Sequence, residues 1–467
     1  GFDPERIPAE VRYRTLAAAT SGGSVAVFPA PHQYFFPRDF TSNIGYLWHR
    51  SWRGRVSLGI RQIRDTNWQF YPWMNAPPGQ TQRMSVFFLL SDGAPDSALH
   101  DVLRYTNRDR FRALEGYKTL STHWHLAYTM QAMEHGVDWT PPFKPVLKAM
   151  GVDASVIMDF HGDGHPRDLT ELRLEELDAY FNALRAQSDE DFLLIPAEEA
   201  NVHFGGHWVL MFPKPVYWFM NRPPGGAFET THPEYGQVYS TADATELLEL
   251  VRREGGFMYQ THPRTKGSTG YPDAIMQTDH FRDASYLGAG WKAMPSDMSS
   301  PRLGDRVFDL LDDLSNEGLR KKIMGEVDVF QFDDTHELYA HMNINYVRLD
   351  DLPSFDEWGK VLEPLASGDF FTTTGEVLLP GVDLSASTAD RISARVSVQW
   401  TLPLRYAEIV WGEGGTTHRE VIPLTKTREF DEETFEWTVE AEGWSWARVA
   451  VWDVATNGAF TNPTWRD

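Results

Sequence analysis

Apolar and polar positions divide the chain into three textures. Residues 1–116 carry short alternating or apolar runs at 24–28 (SVAVF), 55–63 (RVSLGIRQI) and 84–90 (MSVFFLL), parted by aromatic and Pro/Gly-rich loops such as Asn75-Ala76-Pro77-Pro78-Gly79. Side chains on a strand alternate faces, so these runs predict strands. No amphipathic helical stripe begins before about Ala98, and this segment is expected to be a β-rich domain or part of one. From about residue 117 short apolar runs alternate with helical patterns. Strands are predicted at 154–158 (ASVIM), 192–195 (ending at Pro196), 207–212 (HWVLMF), 257–260 (FMYQ) and 327–332. Helices are predicted at 169–184, with Thr170 as cap, and at 240–254, closed by Gly255-Gly256. Such alternation predicts a parallel α/β sheet or barrel, in which chemistry gathers at the carboxyl ends of strands. After residue 375, regularly spaced alternating strands at 395–400, 406–411, 420–424, 434–439 and 446–452 predict an antiparallel β-sandwich. The expected domains are therefore 1–116, 117–375 and 376–467.

Composition narrows the chemistry. The 467 residues include no Cys, which excludes disulfide scaffolds, thiolate metal sites and cysteine nucleophiles. Sixty-six Asp and Glu against 43 Lys and Arg give a net charge of −23, which argues against a nucleic-acid partner. No apolar stretch reaches the roughly 20 residues of a membrane span. The chain opens Gly1-Phe2 without Met, is acidic and aromatic-rich, and the expectation is a secreted or periplasmic protein trimmed from a precursor. Trp68, Trp73, Trp208, Trp218 and Trp291 are candidate platforms for a sugar or aromatic substrate, although packing is the favoured role. Residues 264–292, with several Gly, are a candidate lid.

Sixteen His remain, and several fall in a repeated position. His123-Trp124-His125 on a strand presents two imidazoles to one side. Alone, this pattern is weak, and a half-exposed strand with two surface His is the commoner case. Asp159-Phe160-His161 and, beyond a Gly turn, His165 follow the strand at 154–158. Pro196-Ala197-Glu198-Glu199 follows another, and Gly206-His207 opens a third. His262-Pro263 closes 257–260, and Asp334-Thr335-His336 follows 327–332. Imidazole and carboxylate at the ends of successive strands, without thiolate, suit a centre for Zn, Mn or Fe.

The order of these motifs resembles that of the PHP (polymerase and histidinol phosphatase) superfamily. Its pattern runs H-x-H, D-H, P-G-x-E, G-H, H-P and D-x-H over residues that correspond here to about 117–375. Residues 345–350 (NYVRLD) and 368–375 (GDFFTTTG), with the β-sandwich that follows, resemble the CehA/McbA-like branch. The chain departs from the pattern where Leu126 to Met130 replace a usual acidic Ser-x-Asp, where Phe160 splits D-H, and where Ala197 replaces Gly. The resemblance implies a distorted (β/α)7-type barrel flanked by the two β-rich parts, holding one to three divalent ions. It implies His123, His125, Glu199 and Asp334 around one metal, His161, Glu199, His207 and His262 around a second, and His336 completing the first or holding a third.

The expected function is a metal-dependent hydrolase acting on a phosphoester, or on an ester, carbamate or amide, of a small or carbohydrate-linked substrate. Glu199 would bridge the metals, and His165, Asp159 or Arg264 would orient substrate or protonate the leaving group. Two other classes stay open: a non-catalytic carbohydrate-binding or assembly protein on the same scaffold, and a metal-assisted glycoside or polysaccharide enzyme using carboxylates such as Asp159 and Glu199.

Overall fold

The computed structural model describes residues 9–10, 15–33, 47–52, 55–60, 81, 85–161, 171–262, 276–291, 305–330, 332 and 338–466. The chain is mixed α/β, dominated by one sheet of 14 strands. Seven of these position the candidate site: β1 (Tyr117–Trp124), β2 (Ala154–His161), β3 (Leu193–Glu199), β4 (Trp208–Met211), β5 (Phe257–Gln260), β6 (Tyr286–Trp291) and β7 (Lys322–Gly325). They lie side by side in chain order. Neighbours pair in parallel except β4, which is antiparallel to both β3 and β5. Beyond β7 the chain returns to β1. Val327 N–H donates to Thr122 O (3.1 Å), His125 N–H donates to Val329 O (2.9 Å), and Trp124 and Val329 form a parallel bridge. The two ends of the seven-strand run therefore meet.

A buried Asn sews this seam. Asn345 lies on β8 (Ile344–Arg348), which pairs antiparallel with β1. Its amide donates to Gly325 O (2.9 Å) and Leu120 O (3.3 Å), while its Oδ1 accepts from Gly325 N–H (2.8 Å) and the Thr372 hydroxyl (2.8 Å). One side chain thus ties β7 to β1 and to β9 (Phe370–Thr373) with its hydrogen-bonding capacity filled.

β3 runs through Pro196 to Glu199 instead of ending at Pro196. Proline lacks the N–H a strand interior needs, and a register shift lies beside it, between Ile157 and Phe160. The Tyr180 hydroxyl fills the gap, donating to Ile157 O (2.5 Å) and accepting from Ala197 N–H (3.0 Å). β6 and β7 escape the sequence pattern. β6 (YLGAGW) is fully buried and rich in small residues, so it shows no alternation. Gly290 must lack a side chain because a Cβ there would overlap the Glu326 carboxylate. The candidate lid is corrected over 276–291, which hold the short helix Asp279–Arg282 and β6. Its remainder, 264–275 and 292, lies outside the described residues. The strand expected at 327–332 is instead the segment returning from β7, with its single bridge at Val329.

The same sheet continues past β9 into the C-terminal part. β9 pairs with Gly458–Thr461, which pairs with Trp446–Asp453, then Leu404–Glu413 and Thr416–Pro423. A separate antiparallel sheet of Val377–Asp383, Arg391–Trp400 and Asp431–Glu440 accompanies it. Along Arg391–Trp400 the alternate residues Ile392, Ala394, Val396, Val398 and Trp400 are buried, as period-two patterning requires. Arg448 of Trp446–Asp453, itself buried, makes a bidentate pair with Asp312 (2.8 and 2.9 Å) of the helix Asp305–Asn316, tying that helix to the C-terminal strands of the large sheet. At the N-terminal side, Leu16–Thr20, Gly23–Pro29 and Val86–Ser91 form an antiparallel sheet. Ala98 and Val102 of the helix Pro95–Leu103 pack on its Ala26 and Phe28. Trp208, Trp218 and Trp291 are core residues, as packing requires, and Trp68 and Trp73 lie outside the described residues.

Asn345→Ala would remove one partner from each of four buried groups, of which Gly325 O keeps the Thr122 hydroxyl (2.9 Å). We expect a loss of about 2–4 kcal/mol of stability, read as a lower midpoint of chemical unfolding. A change below about 0.5 kcal/mol would contradict the role given to this seam.

Candidate metal centre

The parallel strands β1, β2, β3, β5, β6 and β7 end at one rim. β4 runs the other way, so its beginning lies there too. This explains why the sequence carries His207 before a strand and the other candidates at or after strand ends. His123 lies in β1 and His125 just past it, Glu199 ends β3, and His262 follows β5. Glu326 and Asp328 follow β7. All of these are buried except His207, whose side chain is 18% exposed and so faces the opening.

Three of the rim residues hold left-handed backbones: His123 (φ 75°), His262 (φ 27°) and Asp328 (φ 54°). Such conformations are uncommon in residues with a Cβ and concentrate where neighbouring structure imposes them. At His123 the conformation falls inside a register shift between β1 and β2, from Ser121 to Trp124. There the strand stops alternating regularly. Trp124 turns into the core, its indole N–H donating to the Ser121 hydroxyl (2.9 Å).

Hydrogen bonds fix the faces of the two imidazoles. His125 Nδ1 lies 2.6 Å from Met158 O, and a carbonyl only accepts, so the ring proton is at Nδ1. His123 Nδ1 lies 2.9 Å from Glu326 Oε2, again an acceptor. With both rings neutral, each Nε2 would carry a bare lone pair. These two Nε2 atoms face one another at 3.0 Å. Glu199 Oε2 lies 3.0 Å from His125 Nε2 and 3.6 Å from His123 Nε2. Asp328 lies 3.7 Å from His123 Nε2 and 3.6 Å from His262 Nε2, and Glu199 Oε1 lies 3.9 Å from His262 Nε2. His207 Nδ1 reaches Glu199 Oε1 at 2.8 Å. Acceptor facing acceptor is repulsive unless a positive centre lies between them. The His123 imidazolium expresses the same demand. Burial disfavours it, but Asp328, Glu326 and Glu199 outweigh burial and push its pKa up to about 10.

A metal ion meets that demand with the donors present. Ligands held tetrahedrally at 2.0–2.1 Å stand about 3.3–3.4 Å apart, and the donor separations above, from 3.0 to 3.9 Å, straddle that edge. Two sets of donors converge, His123 with His125 and Asp328, and His123 with Glu199 and His262. They overlap on one Nε2, which serves one ion, so a second ion would rest on His262, His207 and the remaining carboxylate oxygens. Around the donors, Glu326 holds His123 through Nδ1 and accepts from His262 N–H. Asn343, fully buried, donates to Glu326 O (2.7 Å) and Trp291 O (3.2 Å), fixing the Glu326 backbone beside β6.

No family model, curated protein or solved structure matches this chain. The residues themselves carry the functional reading.

Of the residues singled out in the sequence, His123, His125, Glu199, His207 and His262 come together. His161 lies on β2 in register with Glu199. Asp159 is engaged elsewhere: its Oδ2 accepts from Thr129 N–H (2.6 Å) and the Thr129 hydroxyl (2.8 Å), anchoring the start of the helix Tyr128–His135. Burial raises its carboxyl pKa against those two bonds. His165, Arg264, Asp334 and His336 lie outside the described residues. Sequence reading missed Glu326 and Asp328. Their signal was the alternation Gly325-Glu326-Val327-Asp328 directly after a strand, hidden because Lys322–Gly325 is only four residues long. It also missed Phe330, which is 58% exposed and stacks on His125 with centroids 4.5 Å apart.

Glu326→Gln keeps the shape and removes the carboxylate that orients His123. We expect the affinity for Zn or Mn, read by competition with a chromogenic chelator, to fall about 10- to 100-fold while the fold persists. Unchanged affinity would exclude that supporting role.

Proposed function

We propose that this protein is a metal-dependent hydrolase built on a (β/α)7 barrel of the PHP type, similar to the CehA/McbA-like branch. The observation that carries the reading is the pair of Nε2 atoms of His123 and His125, facing one another at 3.0 Å among buried carboxylates at the rim. A divalent Zn, Mn or Fe ion held there would supply a water with its pKa lowered toward neutrality and would polarise a phosphoryl or carbonyl oxygen. The chain's own residues do the rest. His125, His123, His262 and Asp328 present the donor atoms, and Glu199 turns one oxygen toward His125 and the other toward His207. His207, partly exposed and 2.8 Å from Glu199 Oε1, is placed to hand a proton to the leaving group. Asp159, committed to Thr129, acts as a support for the rim and leaves the proton role to His207.

Phosphoester cleavage stands slightly ahead of ester, carbamate or amide cleavage, because the donor set is oxygen- and imidazole-rich. Phe330 adds a feature of the substrate: an exposed ring beside His125 favours an aromatic or otherwise apolar group next to the scissile bond. Among the described residues no helix is long and apolar enough to cross a membrane, and the proposed substrate is a small or carbohydrate-linked molecule.

The test is metal content together with turnover of p-nitrophenyl phosphate and p-nitrophenyl esters. We expect at least one Zn or Mn per chain after reconstitution, turnover abolished by chelator and restored by metal, and at least about a hundredfold loss in His125→Ala. Substoichiometric metal with chelator-indifferent turnover would overturn the proposal. A second expectation concerns Phe330. Phe330→Ala should raise KM for aryl substrates about three- to tenfold with kcat little changed. Equal effects on aryl and small alkyl substrates would remove its role in recognition.

A further inference from the structure

A second concave region lies at the other end of the strands. The segment Arg110 to Ala113, the loop Gly151 to Asp153 before β2 and the helix Phe143–Ala149 bound a groove of about 1080 Å³. Arg104, Arg108, Arg110, Arg112 and Lys148 line it, and Asp153 and Asp191 are the acids in its wall. A smaller recess of about 260 Å³ continues it past Arg104 and Arg112 to Trp400, Asp431 and Glu432. Lys148 pairs with Asp189. Among the described residues no carboxylate lies within ion-pair distance of Arg104, Arg108, Arg110 or Arg112.

The groove also looks built for acceptors. Arg112 Nε and Nη2 are buried without a hydrogen-bond partner, a costly state for guanidinium N–H groups unless something supplies oxygen atoms. Arg108 stands in the middle of three consecutive left-handed residues, Asn107 (φ 50°), Arg108 (φ 60°) and Asp109 (φ 58°). The turn is held by the Thr106 hydroxyl donating to Asp109 (2.6 Å) and the Asn107 amide donating to Arg110 O (3.0 Å). Three strained residues in a row, locked by side chains, hold Arg108 and Arg110 at the groove. Arg104 lies over the Phe430 ring at 4.7 Å, which fixes its guanidinium at the junction of the two recesses. Guanidinium forks match the oxygen pairs of phosphate, sulfate and carboxylate.

We propose that this groove is a second ligand site, separate from the metal rim, for an oligoanion: one molecule carrying two or more phosphate, sulfate or carboxylate groups. Its size exceeds that of a single oxyanion, and several guanidinium groups spread along it call for several charges on the ligand. The acids in the wall, Asp153 and Asp191, together with Asp431 and Glu432 in the recess, disfavour densely packed charge and favour groups spaced along a chain. Oδ2 of Asp153 is occupied, accepting from Thr119 of β1 through its N–H (2.7 Å) and hydroxyl (3.0 Å).

The test is calorimetric titration of the whole protein with inorganic pyrophosphate, a sulfated oligosaccharide and an oligogalacturonate, at about 50 and about 300 mM salt. We expect at least one of the three to bind, more weakly at the higher salt. The exposed substitutions Arg108→Asn and Arg110→Gln, combined, should weaken it at least tenfold, while His125→Ala, at the metal rim, leaves it unchanged. Arg110→Gln alone, should the pair fail to fold, should still weaken it several-fold. Binding confined to pyrophosphate identifies a phosphate ligand, and binding of either sugar identifies a polymer. Absence of binding by all three at the lower salt overturns the proposal, as does binding that the arginine substitutions leave intact.

Discussion

Buried negative charge is the constraint around which the central part of this protein is arranged. Glu199, Glu326 and Asp328 are all removed from water, and their described ion-pair partners are histidines. Carboxylates in such a place require a compensating cation. Protons on the imidazoles can supply it in part: Asp328, Glu326 and Glu199 push the His123 pKa up against its burial. The hydrogen bonds made by the Nδ1 atoms of His123 and His125 nevertheless turn both Nε2 atoms toward one point. A metal ion would satisfy the carboxylates and both Nε2 atoms together, whereas a proton satisfies only one pair of atoms.

The fold serves this concentration of donors. A parallel run of strands brings their carboxyl ends to one rim, the single antiparallel strand contributes its beginning, and the return of the chain after β7 adds Glu326 and Asp328. The left-handed backbones at His123, His262 and Asp328, and the register shifts in β1 and β2, are local departures from regular geometry that aim side chains inward. Tyr180, Asn343 and Asn345 occupy the places where those departures open the backbone ladder. Support for the rim is thus polar and buried, and its cost is met because the hydrogen bonds are made.

Much of this was legible in the sequence. The helix expected at 240–254 with a Gly255-Gly256 stop is Ala244–Glu254, ended by Gly255 in the left-handed region and begun by Asp243, whose side chain accepts from Thr245 and Glu246 N–H. The alternating C-terminal strands were equally plain. His123, His125, Glu199, His207 and His262 stood out because imidazole or carboxylate sat at the end of an apolar run. What stayed hidden had specific causes. β6 packs close to its neighbours through Gly288 and Gly290, so its composition looks like a loop. β7 is too short to show a period, and its invisibility hid Glu326 and Asp328. Asp159 sits beside His161 in sequence, yet the register shift in β2 and the nearby Thr129 draw it to a helix start. Continuity of the central sheet with the C-terminal strands depends on pairing between Phe370–Thr373 and Gly458–Thr461, residues far apart in the chain.

The account's central claim is that a metal ion bridges these imidazoles and carboxylates. X-ray absorption at the metal edge of Zn- or Mn-reconstituted protein tests it most directly. The claim predicts nitrogen and oxygen ligands at about 2.0–2.2 Å with the scattering signature of at least two imidazoles, diminished in His123→Ala. A protein that retains no metal, or a metal shell without imidazole, would contradict it.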